Sequence, residues 1–253
     1  GLAVGRAVAR LVVGARARVR PLRRRGVGRA PAGGTVSDRL LVFVKAPRPG
    51  AVKTRLGAVL GDDGAAQLYR ALAEEEIRRT APRAGEYERT LVFAPEDARA
   101  EIERWLPGMA LEAQEGPDLG ARMSRAFASA FAGGARRVAI VGTDVPACGR
   151  EHVAEALAAL DGHDLVLGPT HDGGYYLIAL DRPRPALFHA IPWSTPSVLP
   201  ATAERASVLG LGVRMLDPLP DIDTIGDVKA EWGRLRPLVA GTPLERRLLD
   251  LTR

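Results

Sequence analysis

The chain has 253 residues, 46% of them hydrophobic, enough to bury one sizeable α/β core, and it carries a formal net charge of +6. That charge is uneven: residues 1–38 hold nine arginines against the single acid Asp38, a net of +8, so residues 39–253 stand at −2 and offer no basic face for specific nucleic-acid binding. The one cysteine, Cys148, excludes an internal disulfide and a CxxC metal knuckle and makes the cytoplasm the expected compartment, and no apolar run is long enough for a membrane span.

Residues 1–38 end in Pro and Gly and read as a disordered or loosely packed Arg-rich extension. The arginines interrupt the apolar run too early for a secretory signal, while the same acid-poor composition also suits an organellar targeting segment. From residue 39 strand-like and helix-like segments alternate. RLLVFVK (39–45) predicts a strand, DDGAAQLYRALAEEEIRRT (62–80) a helix, RTLVFA (89–94) a strand and PEDARAEIERWL a helix with a proline-acidic start. MALEAQ (109–114) predicts a short strand, 118–132 a helix, RRVAIVG (136–142) a strand and 150–160 a helix. DLVLGP (164–169) passes through HDGG into YYLIAL (175–180), a connection too short for a crossover, so one antiparallel strand is expected. Helical stretches near 184–190 and 197–209, a strand at 212–217 and a helix at 224–235 complete a domain over 39–235. Residues 236–253 read as a C-terminal arm that either packs by Leu238, Leu244, Leu248 and Leu249 or makes a homodimer contact. This βαβ order predicts an α/β fold with a mostly parallel mixed central sheet and helices on both faces.

Four stretches carry candidate chemistry. Val138–Val141 is apolar on both faces, so Gly142, Thr143 and Asp144 fall at the carboxyl end of a central strand, where open α/β sheets bind ligands. Asp144 there can hold a divalent cation against phosphates, or simply cap a helix. The loop KAPRPGAVKTRLG (45–57) brings Lys45, Pro47, Gly50, Lys53 and Arg55 to the same edge, suited to a nucleotide diphosphate, yet it is neither GxxxxGK[ST] nor GxGxxG. In EGPDLGARM, Asp118 opens a helix and Arg122 stands one turn inside it, where an anion would favour it.

GPTHDGGYYLIAL sets His171 and Asp172 before Gly173 and Gly174, with Tyr175 as a wall, a floor for a sugar or a small acceptor over which Asp172 could act as base; a plain hairpin turn is the alternative. IPWSTP adds Trp193, Ser194 and Thr195 to that side. In DIDTIGDV, Thr224 and Asp227 match a capping box, which leaves Asp223 free to join Asp144 on one oxygen-ligated ion, Mg²⁺ or Mn²⁺.

FVKAPRPGAVKTRL, GPDLGARM, GTDVP, GPTHDGGYYLIAL, IPWSTP and DIDTIGDV, in that order over about residues 39–235, resemble the bacterial domain-of-unknown-function 2064 proteins, usually described as glycosyltransferase A-type enzymes and including an arsenosugar-biosynthesis branch. Through VKTRL and the aspartate strand end the chain is also similar to phospholactate guanylyltransferase. The resemblance implies a three-layer nucleotide-diphospho-sugar transferase fold, with Asp144 as the metal aspartate, Asp223 as a second metal carboxylate, and Lys53 and Arg55 near the phosphates. GTDVP is not a full DxD, and the Gly-rich signature of sugar nucleotidyltransferases is absent. The implied activity is metal-dependent glycosyl transfer from a nucleotide-diphospho-sugar to a small-molecule acceptor. Two alternatives stand: nucleotidyl transfer from a nucleoside triphosphate to a phosphorylated or phosphonate substrate with pyrophosphate release, and a catalytically inactive nucleotide-binding protein.

Overall fold

The computed structural model describes residues 37–252, so the expectation for residues 1–36 lies outside the described residues. Asp38 is already part of the folded body. Its buried carboxylate accepts from Arg136 and Arg137, and although burial opposes the charge, the two guanidinium groups hold this acid below the usual carboxylate range.

Seven strands form one sheet: β1 (Arg39–Lys45), β2 (Glu88–Ala94), β3 (Ala110–Ala113), β4 (Val138–Val141), β5 (Leu165–Pro169), β6 (Tyr175–Leu180) and β7 (Val213–Met215), in the spatial order β3-β2-β1-β4-β6-β5-β7. All neighbours run parallel except β6, which is antiparallel to both β4 and β5, as the short HDGG connection requires. The expected fold class holds: an α/β three-layer sheet of glycosyltransferase A-type architecture.

Alternation along each strand divides the core. Leu40, Val42 and Val44 of β1, with Ala139 and Val141 of β4, face one layer built by α1 (Thr54–Arg79), α2 (Arg99–Trp105) and α4 (Arg150–Ala159). Leu41, Val138, Ile140, Leu165 and Leu167 face the other, built by α3 (Leu119–Ala132) and α5 (Val198–Val208). A third apolar cluster joins Leu56, Leu60, Leu68 and Leu72 on the outer side of α1 to Val228 of α6 (Ile225–Ala230), Leu235 and Val239 of α7 (Trp232–Val239), and Leu244 and Leu248 of α8 (Pro243–Thr252). The described part of the expected arm therefore packs on its own domain through Leu244 and Leu248.

Strand order reverses between β1 and β4: the chain moves outward from β1 through β2 to β3, then returns to place β4 on the other side of β1. The carboxyl ends of β1 and β4 thus flank the switch-point crevice, and Lys45 and Asp144 stand on its two sides. Helix α1 differs from expectation in starting earlier, at Thr54, because a first segment ending at Leu60 buries Leu56 and Leu60 against the C-terminal helices. Gly61, at φ 67° and ψ 161°, breaks the axis before the long second segment. Only glycine adopts that conformation without steric cost.

That long segment fixes the crevice from beneath. The Tyr69 hydroxyl accepts from the Lys45 amide at 2.7 Å and lies 3.0 Å from the Thr143 hydroxyl, which donates onward to the Phe43 carbonyl, so one relay ties the ends of β1 and β4 together. Two turns later the fully buried Glu76 accepts from the Val145 amide at 3.1 Å, next to Asp144. Arg79 then donates to the carbonyls of Ala147 and Cys148.

Burial drives the Glu76 carboxyl well above its ordinary range, partly countered by the Val145 bond, so the fold favours its neutral form. The folded state consequently binds this proton at pH values where the unfolded state has released it, and stability falls as pH rises through that window. Glu76→Gln, which keeps the acceptor for Val145 and removes the titration, is expected to gain melting temperature relative to the parent between pH 5 and pH 8. Parallel thermal unfolding across that range checks this; a constant difference between the two proteins would refute it.

Candidate functional site

Three segments distant in sequence meet at the crevice. The first is the loop after β1, which turns at Gly50 (φ 77°) and enters α1 through Lys53, itself left-handed at φ 47° and ψ 45°. A side chain in that conformation costs about 1–3 kcal/mol and persists only where surroundings impose it. The second is the loop after β4, bearing Thr143 and Asp144. The third is the approach to α6, whose Ile222 amide donates to the Asp144 carbonyl at 3.0 Å. The expected capping box closes this third segment: the Thr224 hydroxyl accepts from the Asp227 amide, and Asp227 accepts from the amides of Thr224 and Asp223.

At their junction the Lys53 ammonium lies 2.5 Å from Asp144 Oδ1 and 2.8 Å from Asp223 Oδ1, and the lysine side chain is only 4% exposed. Burial works against the charge on Lys53, but the two carboxylates outweigh it and hold its pKa above the usual lysine value. Asp223 responds in the opposite sense: burial raises it, while Lys53, Arg55 and Lys45 together bring it below the ordinary carboxylate range. Arg55 Nη1 is 3.7 Å from Asp223 Oδ2 and largely exposed, a loose pair that leaves the guanidinium available to solvent. Asp144 and Asp223, expected to share one cation, do converge on a single point, and that point is the Lys53 ammonium.

Beside this cluster, at the ends of β2 and β3, a cleft of about 420 Å³ is lined by Ala94, Pro95, Gln114, Gly116 and Arg122. Arg122 Nε donates to the Gly116 carbonyl at 3.0 Å, and its terminal nitrogens take no partner among the described residues. Gly116, at φ 141°, must be glycine, since a Cβ would come within 2.9 Å of the Arg122 amide. Asp118 caps α3 by accepting from Ala121 at 2.8 Å, so its carboxylate is engaged in the fold. Pro47 shapes the β1 loop, half-buried between Ala46 and Arg48.

On the opposite side lies the β5–β6 turn. Asp172 Oδ1 accepts from the Thr170 hydroxyl at 2.6 Å and the Gly174 amide at 2.9 Å, so this oxygen stabilises its own turn. His171 is exposed at the tip. Gly173 (φ 94°) has a packing reason as well as a conformational one: a Cβ would stand 2.2 Å from the Pro196 carbonyl oxygen.

The 192–197 loop thus sits on the glycine turn, and its Thr195 and Trp193 are engaged within the fold. Thr195 donates to the Pro192 carbonyl, Ser194 is left-handed at φ 62°, and the Trp193 indole covers Gly120 at the start of α3, where a Cβ would be 2.6 Å from the ring. The Tyr175 hydroxyl is buried in the second core layer rather than turned toward the crevice, because β6 alternation sends that side chain to the α3 and α5 face. The Thr143 hydroxyl belongs to the Tyr69 relay.

Sequence reading gave no role to Asp221. It is half-buried next to the crevice, and burial, followed by the neighbouring charges of Asp172, Asp223 and Asp227, pushes its pKa up to about 6. Tyr69 and Glu76 also went unassigned. Their signal existed, since Tyr69 lies four residues before the buried Ala73 and Glu76 three residues after it, and thus on the inward face of α1.

Among solved structures, a proposed nucleotide-diphospho-sugar transferase from Desulfovibrio desulfuricans G20 is 35% identical with a TM-score of 0.74, over 84% of this chain and 94% of its own. A CMP:2-keto-3-deoxy-manno-octonic acid synthetase complexed with CTP (TM-score 0.50, 11% identity, 79% and 99% covered) is similar in fold. So is the 4-diphosphocytidyl-2C-methyl-D-erythritol synthase of Anaerococcus prevotii DSM 20548 (0.50, 12%, 79% and 99%). No curated protein matches. The family model described as "Uncharacterized protein conserved in bacteria (DUF2064)" matches residues 77–195, which include the Glu76-bound β4 loop, Arg122, Asp144, the glycine turn and Trp193. With that match and a 35% identical relative spanned almost end to end, the chain belongs to the DUF2064 family.

Proposed function

We propose that this protein is a nucleotidyltransferase that joins a nucleoside triphosphate to a small phosphorylated or phosphonate substrate and releases pyrophosphate. The observation that carries the reading is the balance of groups at the crevice. Lys45, Lys53 and Arg55 surround the Asp144–Asp223 pair, while Asp172, the acid over the glycine turn, already has one oxygen committed to its turn. A phosphate or phosphonate nucleophile is ionised before it reacts and needs no base. A sugar hydroxyl in an inverting glycosyl transfer does. The similarity in fold to two cytidylyl-transferring enzymes and the resemblance to phospholactate guanylyltransferase support the same choice.

In this reading the cleft at Arg122 and Gly116 receives the nucleoside, and Lys53 and Arg55 bind the triphosphate. The acceptor's phosphorus-bound oxygen attacks the α-phosphorus, the bond from that phosphorus to the bridging oxygen breaks, and pyrophosphate leaves along the Lys53–Arg55 side. Lys53 supplies a point charge and Arg55 a planar fork to the departing oxygens. Asp144 and Asp223 would hold a magnesium or manganese ion. Two carboxylates from separate segments, converging on one cation, fit a hard divalent ion that takes its remaining ligands from phosphate and water; among the described residues no group of three or more acids, histidines or cysteines is assembled to do so alone. Such an ion supplies charge neutralisation on the phosphate oxygens.

Glycosyl transfer is the second reading, supported by the name of the 35% identical relative and by Asp221, whose pKa of about 6 suits a general base. Nucleoside triphosphates with phosphorylated or phosphonate acceptors, and nucleotide-sugars with polyol acceptors, each supplied with Mn²⁺, separate the two. Pyrophosphate release is expected; nucleoside diphosphate release from a nucleotide-sugar would replace this reading with the second, and neither product would leave a nucleotide-binding protein. Asp172→Asn, which preserves the turn's acceptor, is expected to change turnover little, against a loss of about 10²-fold or more if Asp172 were the base.

Asp221 gives a pH test. It is neutral below about pH 6 and negative above, so triphosphate affinity should weaken as pH rises through 6. Asp221→Asn should flatten that dependence and tighten binding at pH 7.5, measured by calorimetry; loss of turnover without that flattening would favour the base role.

A further inference from the structure

We propose that Lys53 is a resident counter-ion, which keeps a free divalent cation out of the Asp144–Asp223 pair and gives way only to a cation arriving on nucleotide phosphates. This rests on the reading above and concerns how its site is loaded.

Three observations carry it. The first is position. The ammonium stands within hydrogen-bond distance of both carboxylates, at 2.5 Å and 2.8 Å. A divalent ion held by the same two carboxylates would compete for the position that the ammonium occupies. The second is the absence of a refuge. The lysine side chain is 4% exposed, and no third carboxylate among the described residues lies within 4 Å of Nζ. A bare cation entering the pair therefore meets a like charge that has no third carboxylate in contact to take it over. A triphosphate removes that obstacle, because its oxygens accept the ammonium as the metal takes the aspartates.

The third is the root of the side chain. Lys53 holds a left-handed backbone at the start of α1, its carbonyl bonded to the Gly57 amide at 2.9 Å, so its Cα is fixed and the exchange is a swing of the side chain alone. The consequence is an ordered site: metal and nucleotide enter together, and metal alone is refused. Asp144 supports this use of the pair by being half exposed, which gives the incoming complex a side from which to approach.

The test uses Mn²⁺ alone, titrated into nucleotide-free protein and followed by electron paramagnetic resonance of the free ion. Wild type and Lys53→Arg should bind Mn²⁺ weakly, and Lys53→Met about tenfold or more tightly than wild type. A non-hydrolysable nucleoside triphosphate analogue should bring wild-type Mn²⁺ binding up and narrow that gap. If Lys53→Met binds Mn²⁺ no more tightly than wild type, while wild type still takes Mn²⁺ with the analogue, the counter-ion role is overturned and the metal reading survives. If wild type binds the analogue but takes no Mn²⁺ with it, both are overturned.

Wild-type protein supplies a measurement independent of any variant's folding. Acetylation of Lys53 by acetic anhydride, read by peptide mass spectrometry, should remain low in the nucleotide-free protein whether or not millimolar Mn²⁺ is present. A rise caused by Mn²⁺ alone would show that the bare ion displaces the ammonium, and would overturn the proposal.

Discussion

One buried ammonium balanced between two carboxylates organises the whole ligand edge of this protein. Lys53, Asp144 and Asp223 come from three segments that share no secondary-structure element, and the buried lysine would be costly where it is without the two carboxylates. A lysine with 4% side-chain exposure needs a counter-charge, and Asp223 draws its acidity from Lys53 before any other neighbour. The left-handed backbone at Lys53 belongs to the same arrangement: local sterics oppose it, and the ion pairs and the start of α1 impose it.

The sheet makes that meeting possible. Because strand order reverses at β1, the loops leaving β1 and β4 diverge from adjacent strand ends and open a crevice that helices cannot fill. Helix α1 then serves both sides. Its amino end presents Lys53 and Arg55, and its body sets the crevice floor through Tyr69, Glu76 and Arg79. The antiparallel direction of β6 adds the remaining wall, for it brings the 170–174 turn to the same rim as the ends of the parallel strands.

Most of the architecture was legible because period and punctuation agreed: VAIV is apolar on both faces and is a central strand, HDGG is too short for a crossover and joins antiparallel neighbours, and TIGD is the capping box it resembles. The first turns of α1 were not, since KAPRPGAVKTRLG looks like loop until Leu56 and Leu60 are seen to need the C-terminal helices. The convergence of Asp144 and Asp223 on one point could be expected, but not that a lysine 170 residues from Asp223 would occupy it, because side-chain reach across such a separation is a property of tertiary packing. Glu76 was hidden among three consecutive glutamates, of which it alone is buried. Hydroxyls misled in the opposite direction. Thr143, Tyr175 and Thr195 look available in sequence and are absorbed by the fold.

The 170-residue span between Lys53 and Asp223 also bears on how the protein is made. Ribosomes deliver the lysine 170 residues before its second aspartate, so a nascent chain carries the sheet's first strands long before their rim is electrostatically complete. A polypeptide released before residue 223 would have β1, β4 and most of both core layers, yet one carboxylate too few at the crevice. Synthesis thus completes most of the two sheet-facing layers before it can close the ion pairs at their rim or the third apolar cluster behind α1.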